Sequence, residues 1–250
     1  MYNIVINRPE CLVVDNFLSD SDWEKLYNQV QIDSWSKVNN ASDKYWHLTD
    51  GDAYKTQRLI SKNFPFKNNY DIWFHRFNKL LATDIVKKFV GEIVGYSCRG
   101  FAYPVGGKNP WNDDMGVMTY AFYLHKKWQI NWDGTLLIIP KNSIKYSQLL
   151  DVDKDSKSLD EYSKANTPME MFSQEEKYKE IIDHGTGFFV SPKPNRLVII
   201  NKDVVHGINR VDPDAGENVR LSIGGGIIPS DYKGPINFQG VDNNISPKKQ

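Results

Sequence analysis

Three residues in the C-terminal part of the chain have the types and the spacing that chemistry could use. His206 is followed fourteen residues later by Arg220, and Ser222 stands two residues further on. Side chains at alternate positions of a strand point to the same face, so Arg220 and Ser222 are expected to project together. A guanidinium beside a hydroxyl suits a carboxylate, and an imidazole at a barrel rim can bind a metal. The three residues therefore predict a carboxylate clamp next to a metal ligand.

Each of these residues also has a purely structural interpretation. A single histidine on a strand usually serves packing or hydrogen bonding. Arg220 could pair with Glu217 or with a surface aspartate. The functional interpretation depends on finding the three residues together.

Helical periodicity is confined to the first part of the chain. An apolar strand at residues 11–15 leads into an amphipathic helix of about 12 residues, which begins near Ser19. A second helix is predicted from about Tyr70 to Val94, because its apolar residues keep a 3.6-residue period. Gly91 and Gly95 are expected to mark its end.

From residue 97 the pattern changes to short runs with period two, separated by turns rich in Gly, Pro, Asn and Asp. Helices followed by many short strands indicate a mainly β fold, a barrel or sandwich supported by N-terminal helices. Seven strands are predicted: Arg99–Tyr103, Val117–Leu124, Thr135–Ile139, Gly187–Val190, Arg196–Ile200, His206–Val211 and Arg220–Ile227.

The composition fits a single soluble globular domain. The 250 residues include 31 basic and 31 acidic ones, so charge gives no reason to expect a nucleic-acid partner. Cys11 and Cys98 form neither a disulfide framework nor a zinc motif. No signal peptide and no apolar run of about 20 residues is visible, which favours a cytoplasmic protein without a membrane segment.

Several segments, in order, resemble the 2-oxoglutarate- and iron(II)-dependent oxygenase superfamily, close to its prolyl-hydroxylase-like branch. The His206, Arg220 and Ser222 pattern resembles the motif that holds the metal and the distal carboxylate of 2-oxoglutarate. Residues 119–128, TYAFYLHKKW, resemble the strand that ends in Tyr-Leu-x-x-x-Trp. Residues 14–18, VDNFL, resemble the start of the family fold.

The turn at residues 132–136, WDGTL, resembles the family's Trp-Gly-Gly-x-Leu turn, with Asp133 replacing the first glycine. The resemblance implies a double-stranded β-helix, or jelly roll, of roughly eight strands. It also implies that Tyr123 donates to the C5 carboxylate of 2-oxoglutarate beside Arg220, and that Tyr103 lines the same pocket. The implied cofactors are Fe(II) and 2-oxoglutarate as cosubstrate, with ascorbate as a further candidate.

One metal-ligand position departs from the family pattern. Residues 111–114, WNDD, fit a Trp-His-x-Asp motif in which Asn112 occupies the histidine position. The resemblance implies that Asp114 and His206 are catalytic metal ligands and that Asn112 is an altered one. An amide oxygen is a weaker ligand for Fe(II) than imidazole. Asp114 could instead form part of a turn, since Asp, Asn and Gly are common there.

Three explanations for Asn112 remain open at this point. It could be an engineered replacement, a natural change in a protein that only binds, or a position compensated by another group. His125 and His184 are the other histidines near predicted strands, and both are weak candidates for that group.

The resemblance covers nearly all of the chain, which is expected to be one domain, residues 1–250, with a polar insertion at about residues 141–183. It implies hydroxylation of an unactivated C–H bond in a small molecule, an amino acid or a peptidyl side chain. The first alternative is a non-catalytic binding or regulatory module of the same fold. A cupin-like sugar-binding or isomerase jelly roll is the second, and the Arg220–Ser222 pair argues against it.

Overall fold

The structure is a computed structural model that describes residues 2–37, 53–60, 70–112, 117–140 and 186–232. Within these residues the chain forms three α-helices and thirteen β-strands. The helices are α1 (Asp20–Gln31), α2 (Asp71–Leu81) and α3 (Asp84–Val90). The strands are β1 (Asn3–Asn7), β2 (Cys11–Asp15), β3 (Ser36–Lys37), β4 (Tyr54–Lys55), β5 (Leu59–Ile60), β6 (Ile93–Tyr103), β7 (Asn109–Asn112), β8 (Met118–Tyr123), β9 (Leu136–Pro140), β10 (Phe188–Val190), β11 (Leu197–Ile200), β12 (Val204–Ile208) and β13 (Arg220–Pro229).

The strands form two sheets. In the larger sheet they run in the order β1-β2-β11-β8-β13-β6-β4-β3, and β5 also pairs with β6. The smaller sheet has the order β10-β9-β12-β7. Every pairing between the described strands is antiparallel. Neighbours that are far apart in sequence, such as β2 with β11, are typical of a jelly roll.

The larger sheet is buried on both faces. One face packs on the helices, where Trp73 of α2 stacks on Tyr120 of β8 with ring centroids 5.4 Å apart. The other face packs on the smaller sheet, through residues such as Val13 and Val198 against Leu136 and Ile138. The predicted double-stranded β-helix with supporting helices is therefore the observed fold.

The first predicted helix is confirmed and the second is corrected. Helix α1 has 12 residues, and the side chain of its N-cap Ser19 accepts a hydrogen bond from the backbone N–H of Asp22. The predicted helix from Tyr70 to Val94 is two helices, α2 and α3, and β6 already begins at Ile93. Thr83 interrupts the helix because it is extended and its hydroxyl donates to the carbonyl of Leu80.

All seven predicted strands are present, with shifted ends. The largest shift is in β6, which begins six residues before the predicted Arg99. Strands β1, β3, β4, β5 and β7 are not among those predicted: β1 is a half-exposed edge strand, β7 contains Pro110, which is uncommon in strands, and the other three have two residues each. The 141–183 insertion lies outside the described residues. No helix in the described part of the chain is long and apolar enough to cross a bilayer.

Candidate functional site

Arg220 occupies the space between the two sheets and is fully buried. It is the first residue of β13, where it stands opposite Tyr103 of β6. Its Nε donates a hydrogen bond of 2.6 Å to the carbonyl of Gly134. Its Nη1 and Nη2 are buried and have no hydrogen-bond partner among the described residues. The guanidinium is thus fixed at one nitrogen and unsatisfied at the other two.

The turn that precedes β9 is shaped around this arginine. Asp133 and Gly134 both have positive φ, 51° and 65°. A Cβ at position 134 would lie 2.8 Å from Cδ of Arg220, so only glycine leaves room for the guanidinium stem. Asp133 replaces a glycine of the family pattern, and its carboxylate accepts hydrogen bonds from the Thr135 backbone and the Asn209 side chain. These bonds offset the cost of its backbone conformation.

Two tyrosines enclose the guanidinium. Its central carbon lies 4.9 Å from the ring centroid of Tyr123 and 5.4 Å from that of Tyr103. Burial raises the pKa of both hydroxyls, to about 12 for Tyr103, and the charge of Arg220 partly opposes that rise. Both phenols therefore keep their protons at neutral pH. The Tyr123 hydroxyl is also buried with no hydrogen-bond partner in the described part of the chain.

Ser222 completes the group predicted from the sequence. It is buried, lies two residues after Arg220 on the same face of β13, and stands directly opposite Tyr123 of β8. The structure therefore brings Arg220, Ser222, Tyr123 and Tyr103 together between the sheets.

The Nη donors of Arg220 and the Tyr123 hydroxyl lack a hydrogen-bond acceptor among the described residues. Leaving a buried donor unsatisfied costs about 1–3 kcal/mol, and more when the donor is charged. Here three donor atoms, Nη1 and Nη2 of Arg220 and Oη of Tyr123, have no partner among the described residues. A carboxylate accepts two parallel bonds from a guanidinium and can accept a third from a phenol. The donor set fits the distal carboxylate of 2-oxoglutarate.

His206 lies on the smaller sheet, in β12, and is 7% exposed. The position opposite it in β7 is Asn112. The two positions therefore share one rung of the smaller sheet. Asp114 lies outside the described residues. Among those that are described, no three His, Cys, Asp or Glu side chains form a group that could hold a metal.

His125 does not point a free nitrogen into the site. Its Nε2 is 2.6 Å from the carbonyl oxygen of Pro192, and its Nδ1 is 3.2 Å from that of Leu221. Burial lowers its pKa to about 4, and the charge of Arg220 adds to that effect. A neutral imidazole carries one N–H and donates to only one of these carbonyls; with both nitrogens enclosed by backbone, His125 is a packing residue. His184 lies outside the described residues.

A cavity of about 570 Å³ lies on the other side of the larger sheet. Its lining includes Ala102 and Leu221, which alternate along their strands with Tyr103 and Arg220 and so face away from the clamp. The remaining walls come from α1, from Trp35 and from the segments around Lys126 and Asn218. The cavity is separate from the buried arginine.

The sequence did not reveal every residue that shapes the site. The Gly134 carbonyl fixes Arg220, but a backbone acceptor leaves no trace in residue type. The signal that could have found it is the pair of residues Asp133 and Gly134, where a tight turn with positive φ is favoured.

Comparison with known proteins supports the fold. No protein-family model matches the sequence, and no curated protein matches it. A prolyl-4-hydroxylase from Pseudomonas putida is similar in structure, with a TM-score of 0.52 and 13% identity over 88% of this chain and 92% of that chain. A prolyl hydroxylase from Trichoplax adhaerens, solved with a hypoxia-inducible-factor peptide, has a TM-score of 0.56 and 15% identity over 89% and 84%. The chain thus has the jelly-roll fold of these oxygenases.

Proposed function

We propose that this protein is an Fe(II)- and 2-oxoglutarate-dependent dioxygenase that hydroxylates an unactivated C–H bond. The observation that carries the proposal is the fully buried guanidinium of Arg220, with two nitrogens and the neighbouring Tyr123 hydroxyl lacking acceptors within the described chain. A protein rarely buries an unpaired charge unless a ligand completes it. This protein shares its fold with two prolyl hydroxylases, which supports 2-oxoglutarate as the carboxylate that Arg220 binds.

In this proposal Arg220 and Tyr123 bind the distal carboxylate of 2-oxoglutarate. Ser222 stands opposite Tyr123 and adds a hydroxyl beside the clamp, while Tyr103 covers the guanidinium from the other side. All four side chains are almost fully buried, so they exclude water and strengthen each charge-assisted hydrogen bond. The Gly134 carbonyl holds Arg220 in place before the cosubstrate arrives.

The metal would be held by His206 and Asp114, with Asn112 at the third position. The opposite placement of Asn112 and His206 in neighbouring strands supports this assignment. When bound, Fe(II) would supply activation of dioxygen, with one oxygen atom entering the substrate C–H bond and the other entering succinate, which forms with CO2 from 2-oxoglutarate. The task of the chain is to position the two reactants and to keep water away.

The substrate class is proposed as a small molecule, an amino acid or a peptidyl side chain. The similar Trichoplax protein is complexed with a peptide, which supports the peptidyl option. The net charge of zero gives no reason to propose a nucleic acid.

Asn112 favours a second candidate function, a binding or regulatory module that takes up 2-oxoglutarate without turning it over. A site with one amide in place of an imidazole would bind Fe(II) more weakly. Under this alternative the Arg220 clamp is intact and the metal side is not.

The test combines 2-oxoglutarate binding with succinate production in the presence of Fe(II) and ascorbate. It compares the unchanged protein with Asn112→His and with Asn3→His, which adds a histidine on the exposed edge strand β1. Binding with succinate formation by the unchanged protein supports the dioxygenase. Binding without succinate, with turnover appearing only in Asn112→His, supports the binding module. Failure of every protein to bind 2-oxoglutarate overturns both proposals.

A further inference from the structure

Trp128 contacts the turn that holds Arg220. Its Nε1 donates a hydrogen bond of 2.8 Å to the carbonyl of Asp133, the residue before Gly134. A Cβ on Gly134 would lie 3.4 Å from Cζ2 of Trp128 and 2.8 Å from Cδ of Arg220. The indole and the arginine stem therefore approach the same glycine. Trp128 is half-buried and lies beside the clamp of Arg220 and Tyr123 without belonging to it.

The conformation of Gly134 must be fixed by its neighbours. Glycine has no side chain to restrict its φ and ψ angles, and Arg220 leaves no room for a larger residue. The peptide group that joins Asp133 to Gly134 is bonded at both ends. Its oxygen accepts from Trp128, and its N–H donates to the carbonyl of Arg210, 3.4 Å away. The next peptide group carries the oxygen that accepts from Arg220, so the first group helps to aim the second.

Trp128 also packs on the side of the clamp that carries Tyr123. Its ring centroid lies 4.7 Å from that of His125, and the His125 ring lies 5.9 Å from that of Tyr123. His125 is itself enclosed by two backbone carbonyls, so its ring is held in place. One side chain therefore supports both the turn beside Arg220 and the strand end at Tyr123.

We propose that Trp128 is a positioning residue for 2-oxoglutarate, which sets the direction of the Arg220 guanidinium through the turn at Asp133 and Gly134. The inference rests on the proposed function, because it concerns how the same site is prepared for the cosubstrate. Arg220 has one acceptor in the described chain, the Gly134 carbonyl. Paired hydrogen bonds from a guanidinium to a carboxylate are directional, so rotating the guanidinium weakens both of them.

Trp35 provides a matched control for this role. It is also half-buried, and its indole N–H donates to a backbone carbonyl, that of Val30, at 3.1 Å. Its ring lies over Gly100, on the face of the larger sheet that points away from Tyr103 and Arg220. A phenylalanine at position 35 thus loses the same kind of bond as one at position 128, but at a place that does not adjoin the clamp.

The experiment measures 2-oxoglutarate binding by calorimetry, together with the melting temperature, for the full chain, Trp128→Phe and Trp35→Phe. Phenylalanine keeps an aromatic ring and removes the indole N–H. Both variants should melt lower by similar amounts, about 2–4 °C for one lost hydrogen bond in a chain of this size. Trp128→Phe alone should weaken 2-oxoglutarate binding, by about tenfold.

A double-mutant cycle separates positioning from a general loosening of the fold. Gly134→Ala displaces Arg220 through the same turn. In that background Trp128→Phe should weaken 2-oxoglutarate binding by less than about threefold further, because the two changes act on one element. Full tenfold losses that simply multiply would overturn the positioning role.

Nuclear magnetic resonance of the unchanged protein gives a readout that does not depend on a folded variant. The Nε1–H resonance of Trp128 should shift when 2-oxoglutarate binds, since its acceptor belongs to the turn that holds Arg220. The corresponding resonance of Trp35 should stay in place. A Trp128 resonance that does not move at saturation contradicts the inference.

The outcomes distinguish this inference from the function on which it rests. Equal affinity for 2-oxoglutarate in Trp128→Phe and the unchanged protein, or equal losses in Trp128→Phe and Trp35→Phe, overturn the positioning role and leave the proposed function intact. If the unchanged protein does not bind 2-oxoglutarate, the proposed function fails and the role of Trp128 fails with it.

Discussion

Two arginines in this fold differ in their partners: Arg196 is partly buried beside a carboxylate, and Arg220 is fully buried without one among the described residues. Arg196, 15% exposed, has its Nε 2.6 Å from Oδ1 of Asp15 and its Nη2 3.1 Å from Oδ2. Its Nη1 donates to the Ser191 backbone and hydroxyl. Arg220 is more deeply buried, yet in the described part of the chain its guanidinium meets a single acceptor, the Gly134 carbonyl.

The difference in acceptors distinguishes an arginine that stabilises the fold from one that is suited to bind a ligand. Arg196 finds its carboxylate within the chain, and the pair ties the end of β2 to the start of β11, next to the Asn195 carbonyl that accepts from the Phe17 N–H. Burying a charge without a partner is costly, so an arginine kept in that state indicates that the partner arrives from outside. Arg196 therefore serves folding, whereas the ligand-binding role of Arg220 is our proposal.

The largest effect is expected from breaking the structural pair. Asp15→Asn should lower the free energy of unfolding by about 3 kcal/mol, because it leaves Arg196 buried without its counter-charge. Urea denaturation measures this. The control Asp231→Asn breaks the exposed ion pair with Lys202 and should cost less than about 1 kcal/mol. Equal costs for the two variants would remove the distinction between a buried and an exposed pair.

The regions around Arg220 and Arg196 should lose stability at different pH values. The pKa of His125, whose ring lies beside those of Tyr123 and Trp128, is lowered to about 4 from 6.5, mainly by burial. The unfolded chain therefore binds a proton that the folded chain excludes, and stability that is complete above pH 6.5 is lost as the pH falls to about 4. The loss should approach about 3 kcal/mol. The pKa of Asp15 is lowered by its hydrogen bonds to Arg196 and Lys193, against the opposing effect of burial, so its contribution disappears only below its ordinary value of 3.8.

Unfolding free energies measured across this pH range test the assignment. His125→Gln should flatten the slope between pH 6.5 and 4, whereas His75→Gln, on the exposed face of α2, should not. A slope that persists unchanged in His125→Gln would assign the acid sensitivity to other groups.

A smaller effect is expected from crowding Arg220. Gly134→Ala places a Cβ 2.8 Å from the arginine stem and keeps a positive φ, which should cost about 1–3 kcal/mol of stability. It should also weaken 2-oxoglutarate binding by about tenfold, since the guanidinium must move. Gly216→Ala is the matched control, because Gly216 also has positive φ but its Cβ would meet nothing within 4 Å. If both variants bind equally well, the turn does not position Arg220.

The sequence predicted the part of the site that depends on the alternation of side chains between the two faces of a strand. Arg220 and Ser222 had to share a face, and β13 begins at the predicted residue. Alternation along a strand could also have placed Arg99 on the face of Tyr103, but the pairings of β4 and β5 with β6 are long-range and no local pattern specifies them. The oxygenase-type jelly roll came from the order of motifs, whereas the sheet order depends on long-range pairing.

The helix error has a local cause. Apolar positions on both sides of Thr83 keep the helical period, since Leu80, Leu81 and Val86 are all buried against the same core. Periodicity therefore predicted one helix, while the Thr83 hydroxyl, by bonding the Leu80 carbonyl, ended it. The roles of Asn112 and Asp114 remain predictions from the resemblance.

The most direct measurement is calorimetric titration of 2-oxoglutarate into the unchanged protein and into Arg220→Met, with urea unfolding of both proteins. Methionine removes the charge, its two unsatisfied nitrogens and the Nε bond to the Gly134 carbonyl, while filling much of the same space. The account predicts that Arg220→Met changes the free energy of unfolding by less than about 1 kcal/mol and abolishes 2-oxoglutarate binding. A variant that unfolds as readily as Asp15→Asn, or that binds 2-oxoglutarate as well as the unchanged protein, would contradict the assignment of Arg220 to a ligand.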